Sequence, residues 1–282
     1  GTLLEEIVGA GHATAVTTLR GERDPTFGGV SPEPIPAHLG ASRAAVQAAR
    51  FDLVLASDGD GDRLGVLSSR GDFITPHRIL ALLAESLTRR GRVAGAIAKT
   101  FSTSLLVDRV AAHLGVPLVV TPIGFKHIAE RMVTKEVGIG GEESGGLGVS
   151  FFLPERDGVL SALLVLEAVA LSGVSLEALL AEQEARFGAL AYGRRDIHLP
   201  LESLRAFVSD LRTAPPSAVA GERVTGVAGL DGVKLELGER GWLLHRLSGT
   251  EPMIRIYAEH EDPARVDALL DATERELRTF AR

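Results

Sequence analysis

The chain has 282 residues and a net charge of -7, is 45% hydrophobic and 24% charged, and contains no cysteine. This is an ordinary globular composition with room for two or three compact units. The acidic balance argues against non-specific nucleic-acid binding, and the lack of cysteine excludes disulfides, thiolate metal sites and cysteine nucleophiles.

Residues Val159 to Val174 form the longest apolar stretch, which Glu167 interrupts. It is too short and too charged to span a bilayer and reads as a buried helix. Neither a membrane nor a nucleic acid is therefore expected as a partner, and the cysteine-free chain fits the cytoplasm. The first residue is Gly1 and the only methionines are Met132 and Met253, so a piece of a longer protein is expected.

In chain order, a strand is expected at Ala13–Leu19, followed by a long loop through Asp24-Pro25-Thr26-Phe27-Gly28-Gly29 and Pro32-Glu33-Pro34-Ile35-Pro36. Three prolines in five residues rule out helix and central strand. A helix at Ser42–Arg50 leads into the apolar run Phe51–Ser57, a buried strand, and Arg63–Ser68 returns as a second strand. Thr75-Pro76 then opens a regular alternation, an N-cap followed by proline at the first helical position. It reads helix 76–90, strand Val93–Ala98, helix 103–114, strand Val116–Val120, helix 124–135 and strand Val137–Gly140. Such a βαβαβ pattern specifies a parallel sheet whose ligands bind beyond the carboxyl ends of the strands. Helices near 158–172 and 175–187 follow. A composition shift around Tyr192–Pro200 and the Pro215-Pro216 pair mark a separate C-terminal unit: a strand, a helix, three strands near 223–259 and a final helix over 263–281. The expected units are 1–73, 74–188 and 189–282, the first two α/β and the last α+β.

Between the first two strands stands Asp58-Gly59-Asp60-Gly61-Asp62-Arg63. Three carboxylates at alternate positions, with glycines that let the backbone fold back, raise one another's pKa unless a cation compensates. An all-oxygen ligand set favours Mg²⁺, Ca²⁺ or Mn²⁺ over zinc. An EF-hand loop needs glycine at its sixth position and glutamate at its twelfth, where this chain has Arg63 and Ser69. An acidic solvated turn is the plainer reading.

Four further segments sit at predicted strand ends or turns. Lys99-Thr100 and Thr121-Pro122-Ile123-Gly124-Phe125-Lys126 place two of the four lysines at the ligand side, where lysine acts as a point charge toward phosphate. Gly141-Glu142-Glu143-Ser144-Gly145-Gly146 reads as a flexible loop whose Glu142 and Ser144 suit sugar hydroxyls; a Gly-rich turn is the other reading. Arg246-Leu247-Ser248-Gly249-Thr250-Glu251-Pro252, with Arg255 close behind, supplies a guanidinium, two hydroxyls and a glycine, the ingredients of an anion nest.

The segments Asp58–Arg63, Thr121–Lys126, Gly141–Gly146 and Arg246–Pro252, in this order and over nearly the whole chain, resemble the motifs of the α-D-phosphohexomutases. The resemblance implies three related α/β domains and a smaller α+β fourth, of which residues 1–73 are part of the second, 74–188 the third and 189–282 the fourth. It implies a Mg²⁺ loop at Asp58, Asp60 and Asp62, with Arg63 near a phosphoserine. It also implies sugar contacts from Glu142 and Ser144, phosphate contacts from Arg246, Ser248 and Thr250, and a ligand-contacting lysine at Lys99. The implied reaction moves a phosphoryl group between phosphoserine and a hexose 1- or 6-phosphate, glucose first and mannose second, through glucose 1,6-bisphosphate. The family's Ser-His segment does not occur in these residues. An N-terminal domain is therefore the expected missing partner, and this chain alone is expected to be inactive. Two other readings stand beside this one. In a haloacid-dehalogenase-type phosphatase, Asp58 and Asp60 would form the Asp-x-Asp pair, although that family has Thr or Val where Asp62 stands. The other is a non-catalytic sugar-phosphate-binding module.

Overall fold

The computed structural model describes residues 2–11, 14–249 and 251–280. A short helix α1 (Leu3–Gly9) and helix α2 (Gly40–Ala48) precede strands β1 (Leu53–Ser57), β2 (Leu64–Ser68) and β3 (Phe73–Ile74). The three strands pair antiparallel in the order β1-β2-β3. The strand expected at Ala13–Leu19 does not form over 14–19, and Ala13 lies outside the described residues. Its threonine run finds no strand to pair with: Thr18 Oγ1 donates to Glu5 Oε2 instead, at 2.5 Å.

The middle unit follows the βαβαβ pattern: α3 (Pro76–Arg89), β4 (Ala96–Thr100), α4 (Leu105–Leu114), β5 (Leu118–Thr121), α5 (Lys126–Val133) and β6 (Val137–Gly141). β4 pairs parallel with both β5 and β6, and β7 (Leu147–Val149) closes the sheet antiparallel, in the order β5-β4-β6-β7. β7 has no counterpart in the expected elements, because it is three residues long with a glycine at its centre. Its presence makes residues 142–146 the turn of a β6–β7 hairpin. β4 ends two residues later than expected, so Lys99 and Thr100 lie within the strand. α4 starts later than expected because Ser104 is its cap, accepting from the Leu106 amide at 3.0 Å.

Ile97 and Ile139 face a core built with α3, α4, α6 (Gly158–Ser172) and α7 (Leu176–Phe187), which also takes in Leu64 and Val66 of β2. The N-terminal and middle units therefore share one core. Ala96 and Ala98 face the opposite way, against Phe125, Ile128 and Met132 around α5. α6 is the apolar stretch anticipated from sequence; no single helix among the described residues is long and apolar enough to cross a membrane.

The C-terminal unit has a five-stranded sheet ordered β11-β12-β13-β14-β8, antiparallel throughout: β8 (Ala191–His198), β11 (Gly226–Ala228), β12 (Val233–Glu236), β13 (Gly241–Leu247) and β14 (Met253–His260). Two-residue strands β9 (Ala218–Val219) and β10 (Glu222–Arg223) form a separate pair. Because side chains alternate along a strand, Leu243, Ile254, Ile256 and Ala258 pack on α8 (Leu201–Thr213) and α9 (Pro263–Phe280). The other face presents Trp242, Leu244 and Tyr257 to Phe101 of the middle unit. Buried charges cross that contact: Lys234 Nζ donates to the Phe101 carbonyl, and Glu259 Oε1 accepts from the Leu105 amide (2.8 Å) and Trp242 Nε1 (2.9 Å). Arg246 and Arg255 sit opposite each other in register on this same face, at its end.

Candidate functional site

The acidic loop connects β1 to β2. Asp58 is 7% exposed and clasped by Arg63, whose amide reaches Oδ1 at 3.0 Å and whose Nε reaches Oδ2 at 2.6 Å. Arg63 also faces Glu33 at 3.6 Å, which gives the proline-rich loop a place at the site. Burial works against ionisation of Asp58, but the Arg63 hydrogen bonds outweigh it and hold its carboxyl below the ordinary range. Asp62 moves the other way: burial pushes it up, and the Asp58 and Asp60 carboxylates add to this against the pull of Arg156. One carboxylate oxygen from each of Asp58, Asp60 and Asp62 lies within 4.8 Å of the others. Ligands on opposite sides of an oxygen-bound divalent ion lie about 4–5 Å apart. The donor set, its spacing and the raised Asp62 all fit a hard cation.

The β6–β7 turn meets this loop directly. Leu64 N donates to Gly145 O at 3.0 Å, and Arg63 and Gly146 form a β-bridge. Gly145 has φ +98°, and a Cβ there would stand 2.6 Å from the Leu64 carbonyl oxygen. Gly145 thus serves close approach of two backbones and Gly146 leaves room for the Arg156 side chain, where sequence suggested flexibility, and Glu142 is 5% exposed. Its Oε1 accepts from the Gly124 amide (3.1 Å) and its Oε2 from Arg156 Nη1 (3.3 Å). Burial first, then the neighbouring Glu143, raises its pKa against these two donors. Ser144 is half-buried at the turn, and Glu143 accepts from Ser102 at 2.7 Å.

Two residues absent from the sequence reading complete the arrangement. Arg156 joins Asp62 (2.5 Å) to Glu142 (3.3 Å). Asp231 joins Arg246 Nε (3.0 Å, Oδ1) to the Ile123 amide (2.9 Å, Oδ2). Arg156 precedes a helix start and Asp231 belongs to an Asp-Gly turn pair, so local spacing marked each only as punctuation. An unbroken run of polar contacts therefore links Asp58, Arg63 and Asp62 through Arg156 to Glu142. The run continues through the 121–126 loop to Asp231 and Arg246.

Other expected site residues are placed differently. Lys99 is 2% exposed, pairs with Asp108 and donates to the Ser104 and Thr103 carbonyls at 3.0 and 3.3 Å. β4 extends past its expected end, and the partners of Lys99 are residues 103–108 of its own unit. Lys126 is exposed at the start of α5. Arg255 stands beside Arg246 and faces Asp196 at 3.8 Å. Ser248 is half-buried, its amide donating to Met253 O (2.9 Å) and its Oγ accepting from Glu251 N (3.3 Å); Gly249 is exposed. Thr250 lies outside the described residues.

A modular α/β protein whose acidic, carboxylate and arginine loops converge is the class that fold and site define. The comparisons give the family. Residues 1–71, 75–187 and 207–276 match the models of phosphoglucomutase/phosphomannomutase alpha/beta/alpha domain II, alpha/beta/alpha domain III and C-terminal domain. The chain belongs to the phosphoglucomutase/phosphomannomutase family, the α-D-phosphohexomutases. It is 34% identical over 217 residues to a phosphoglucosamine mutase of Rubrobacter xylanophilus, covering 77% of this chain and 45% of that protein. A phosphoglucomutase/phosphomannomutase of Thermococcus kodakarensis is 30% identical over 86% of this chain and 51% of its own length. The crystal structure of a putative phosphomannomutase from Thermus thermophilus superposes with a TM-score of 0.83 at 38% identity, over 98% of this chain and 57% of that one. The chain thus spans about half the length of the curated relatives it matches. Nothing in these matches supports the phosphatase or binding-module readings.

Proposed function

We propose that the whole protein interconverts hexose 1-phosphate and hexose 6-phosphate, and that this chain supplies its metal loop, sugar loop and phosphate loop. The observation that carries this reading is the continuous polar path from Asp58 to Arg246, because a hexose bisphosphate needs charge neutralisation at one end and a grip at the other. The units divide near 73/74 and 188/189, on either side of the middle sheet.

Asp58, Asp60 and Asp62 would hold Mg²⁺, which supplies neutralisation of phosphoryl charge when bound. Arg63, fixed by Asp58, keeps a second positive charge beside that position. Glu142 uses one lone pair of each oxygen on Gly124 and Arg156, leaving the others for sugar hydroxyls. Ser144 adds a hydroxyl that both donates and accepts. Arg246 and Arg255, from adjacent strands, with Ser248, Gly249 and Thr250, hold the phosphate that is not reacting. Lys126, which is exposed, adds a charge, whereas Lys99 is engaged by Asp108 and the 103–104 carbonyls. None of these groups is an activated nucleophile. The phosphoserine comes from a domain outside this chain, and the chain alone does not turn over.

Glucose is the first substrate under this reading, and the relatives' names bring mannose and glucosamine phosphates into the same test. Phosphorus NMR of the whole protein with Mg²⁺, glucose 1,6-bisphosphate and each of the three 1-phosphates is expected to show a 6-phosphate forming, fastest from glucose. No conversion of any of the three would overturn the proposal.

A further inference from the structure

We propose that Asp231 is a positioning residue for the phosphate arm: it aims Arg246 and ties the C-terminal unit to the 121–126 loop. The inference rests on the proposed reading of Arg246 as a phosphate ligand. Asp231 lies in the turn between β11 and β12, and the next residue, Gly232, has φ +102°. A Cβ on Gly232 would stand 2.3 Å from the His245 carbonyl oxygen, so the turn lies flat against β13 just before Arg246. The carboxylate then has two tasks, one per oxygen. Oδ1 accepts from Arg246 Nε at 3.0 Å, and Oδ2 accepts from the Ile123 amide at 2.9 Å. A guanidinium engaged through Nε has its plane and direction fixed, and its two Nη groups are the fork that suits phosphate.

The Ile123 amide adds a measure of length. Its neighbour, the Gly124 amide, holds Glu142. Consecutive amides of one loop thus bind the carboxylate that orients the phosphate arm and the carboxylate of the sugar loop. The separation between the two ends of the site is set by this single turn of backbone. Asp231 itself is negative and would repel a phosphate, so the two roles open to it predict opposite signs. Positioning predicts that its removal weakens binding, and simple repulsion predicts that removal tightens it.

The test is calorimetric titration of glucose 1-phosphate into the 282-residue chain and its Asp231→Ala, Asp231→Glu, Arg246→Ala and double Asp231→Ala/Arg246→Ala variants. Asp231→Ala is expected to weaken binding about tenfold, the effect of one lost charge-assisted hydrogen bond. Asp231→Glu, which keeps two acceptor oxygens, is expected to recover part of that loss. The double variant is expected to bind no worse than Arg246→Ala, because Asp231 acts through Arg246. Unchanged or tighter binding by Asp231→Ala, or additive losses in the double variant, would overturn the inference. If Arg246→Ala binds as the parent does, or the parent binds nothing, the phosphate-arm reading fails and this inference with it. Trp242, the single tryptophan, lies in the interface between the units and reports whether each variant remains docked. Should Asp231→Ala shift its emission, the near-isosteric Asp231→Asn replaces it, with the same expected weakening and the same refuting outcomes.

Discussion

Lys234 offers a measurement of how the C-terminal unit is held. It is 7% exposed, donates to the Phe101 carbonyl and stands over the Phe101 and Trp242 rings at 4.3 and 4.2 Å. Burial first, then the nearby Lys99, brings its pKa from 10.5 down to about 7. Between those values the unfolded chain holds a proton that the folded chain has released, so unfolding takes up a proton. Stability therefore rises with pH across that window and is flat below about 7. At 1.36 kcal/mol per pH unit for one proton, the whole interval corresponds to about 5 kcal/mol at most, and pH 7.5 to 9.5 to about 2–3 kcal/mol. The perturbation is Lys234→Met, which keeps the volume and cannot titrate. Urea unfolding followed by Trp242 emission, at half-unit steps over that range, isolates this interface. The parent is expected to gain stability relative to the variant by about 1 kcal/mol per pH unit. Parallel profiles would show that Lys234 keeps its ordinary affinity for protons and that the burial argument fails.

Further outcomes follow from the site. Asp58→Asn combined with Asp60→Asn is expected to abolish divalent-ion uptake, read by Mn²⁺ paramagnetic resonance on the chain; retained affinity would remove the loop from the metal site. Gly145→Ala, at φ +98° and facing a carbonyl 2.6 Å from the new Cβ, is expected to destabilise the chain by about 1–3 kcal/mol, and an unchanged melting temperature would contradict the close-approach argument. In the whole protein, Arg246→Ala is expected to raise KM for the hexose phosphate at least tenfold with a smaller effect on kcat. A variant with the parent's KM and kcat would make the arginine loop a surface turn.

Much of this was legible in the chain because local signals and tertiary demands coincide. The Thr75-Pro76 start, the βαβαβ alternation and the apolar α6 each require only periodicity and cap chemistry to read. Asp58, Asp60 and Asp62 announce themselves by like-charge crowding. What escaped depends on contacts between distant segments. Lys99 reads as a strand-end lysine until Asp108 and the Ser104 carbonyl claim it. The glycines at 145 and 146 read as flexibility until Leu64 and Arg156 fill the space beside them. Arg156 and Asp231 have no spacing signature, because their partners lie in other loops and come into reach only when three units pack together.

The most direct test of the account compares the 282-residue chain with the whole protein in one coupled assay. Each receives glucose 1-phosphate, glucose 1,6-bisphosphate and Mg²⁺, and glucose 6-phosphate is followed. The account predicts turnover by the whole protein within the usual enzyme range of about 1–10³ s⁻¹, and none by the chain, which binds and positions but carries no activated nucleophile. Comparable turnover by the chain alone would place the nucleophile within these residues and contradict that division of roles.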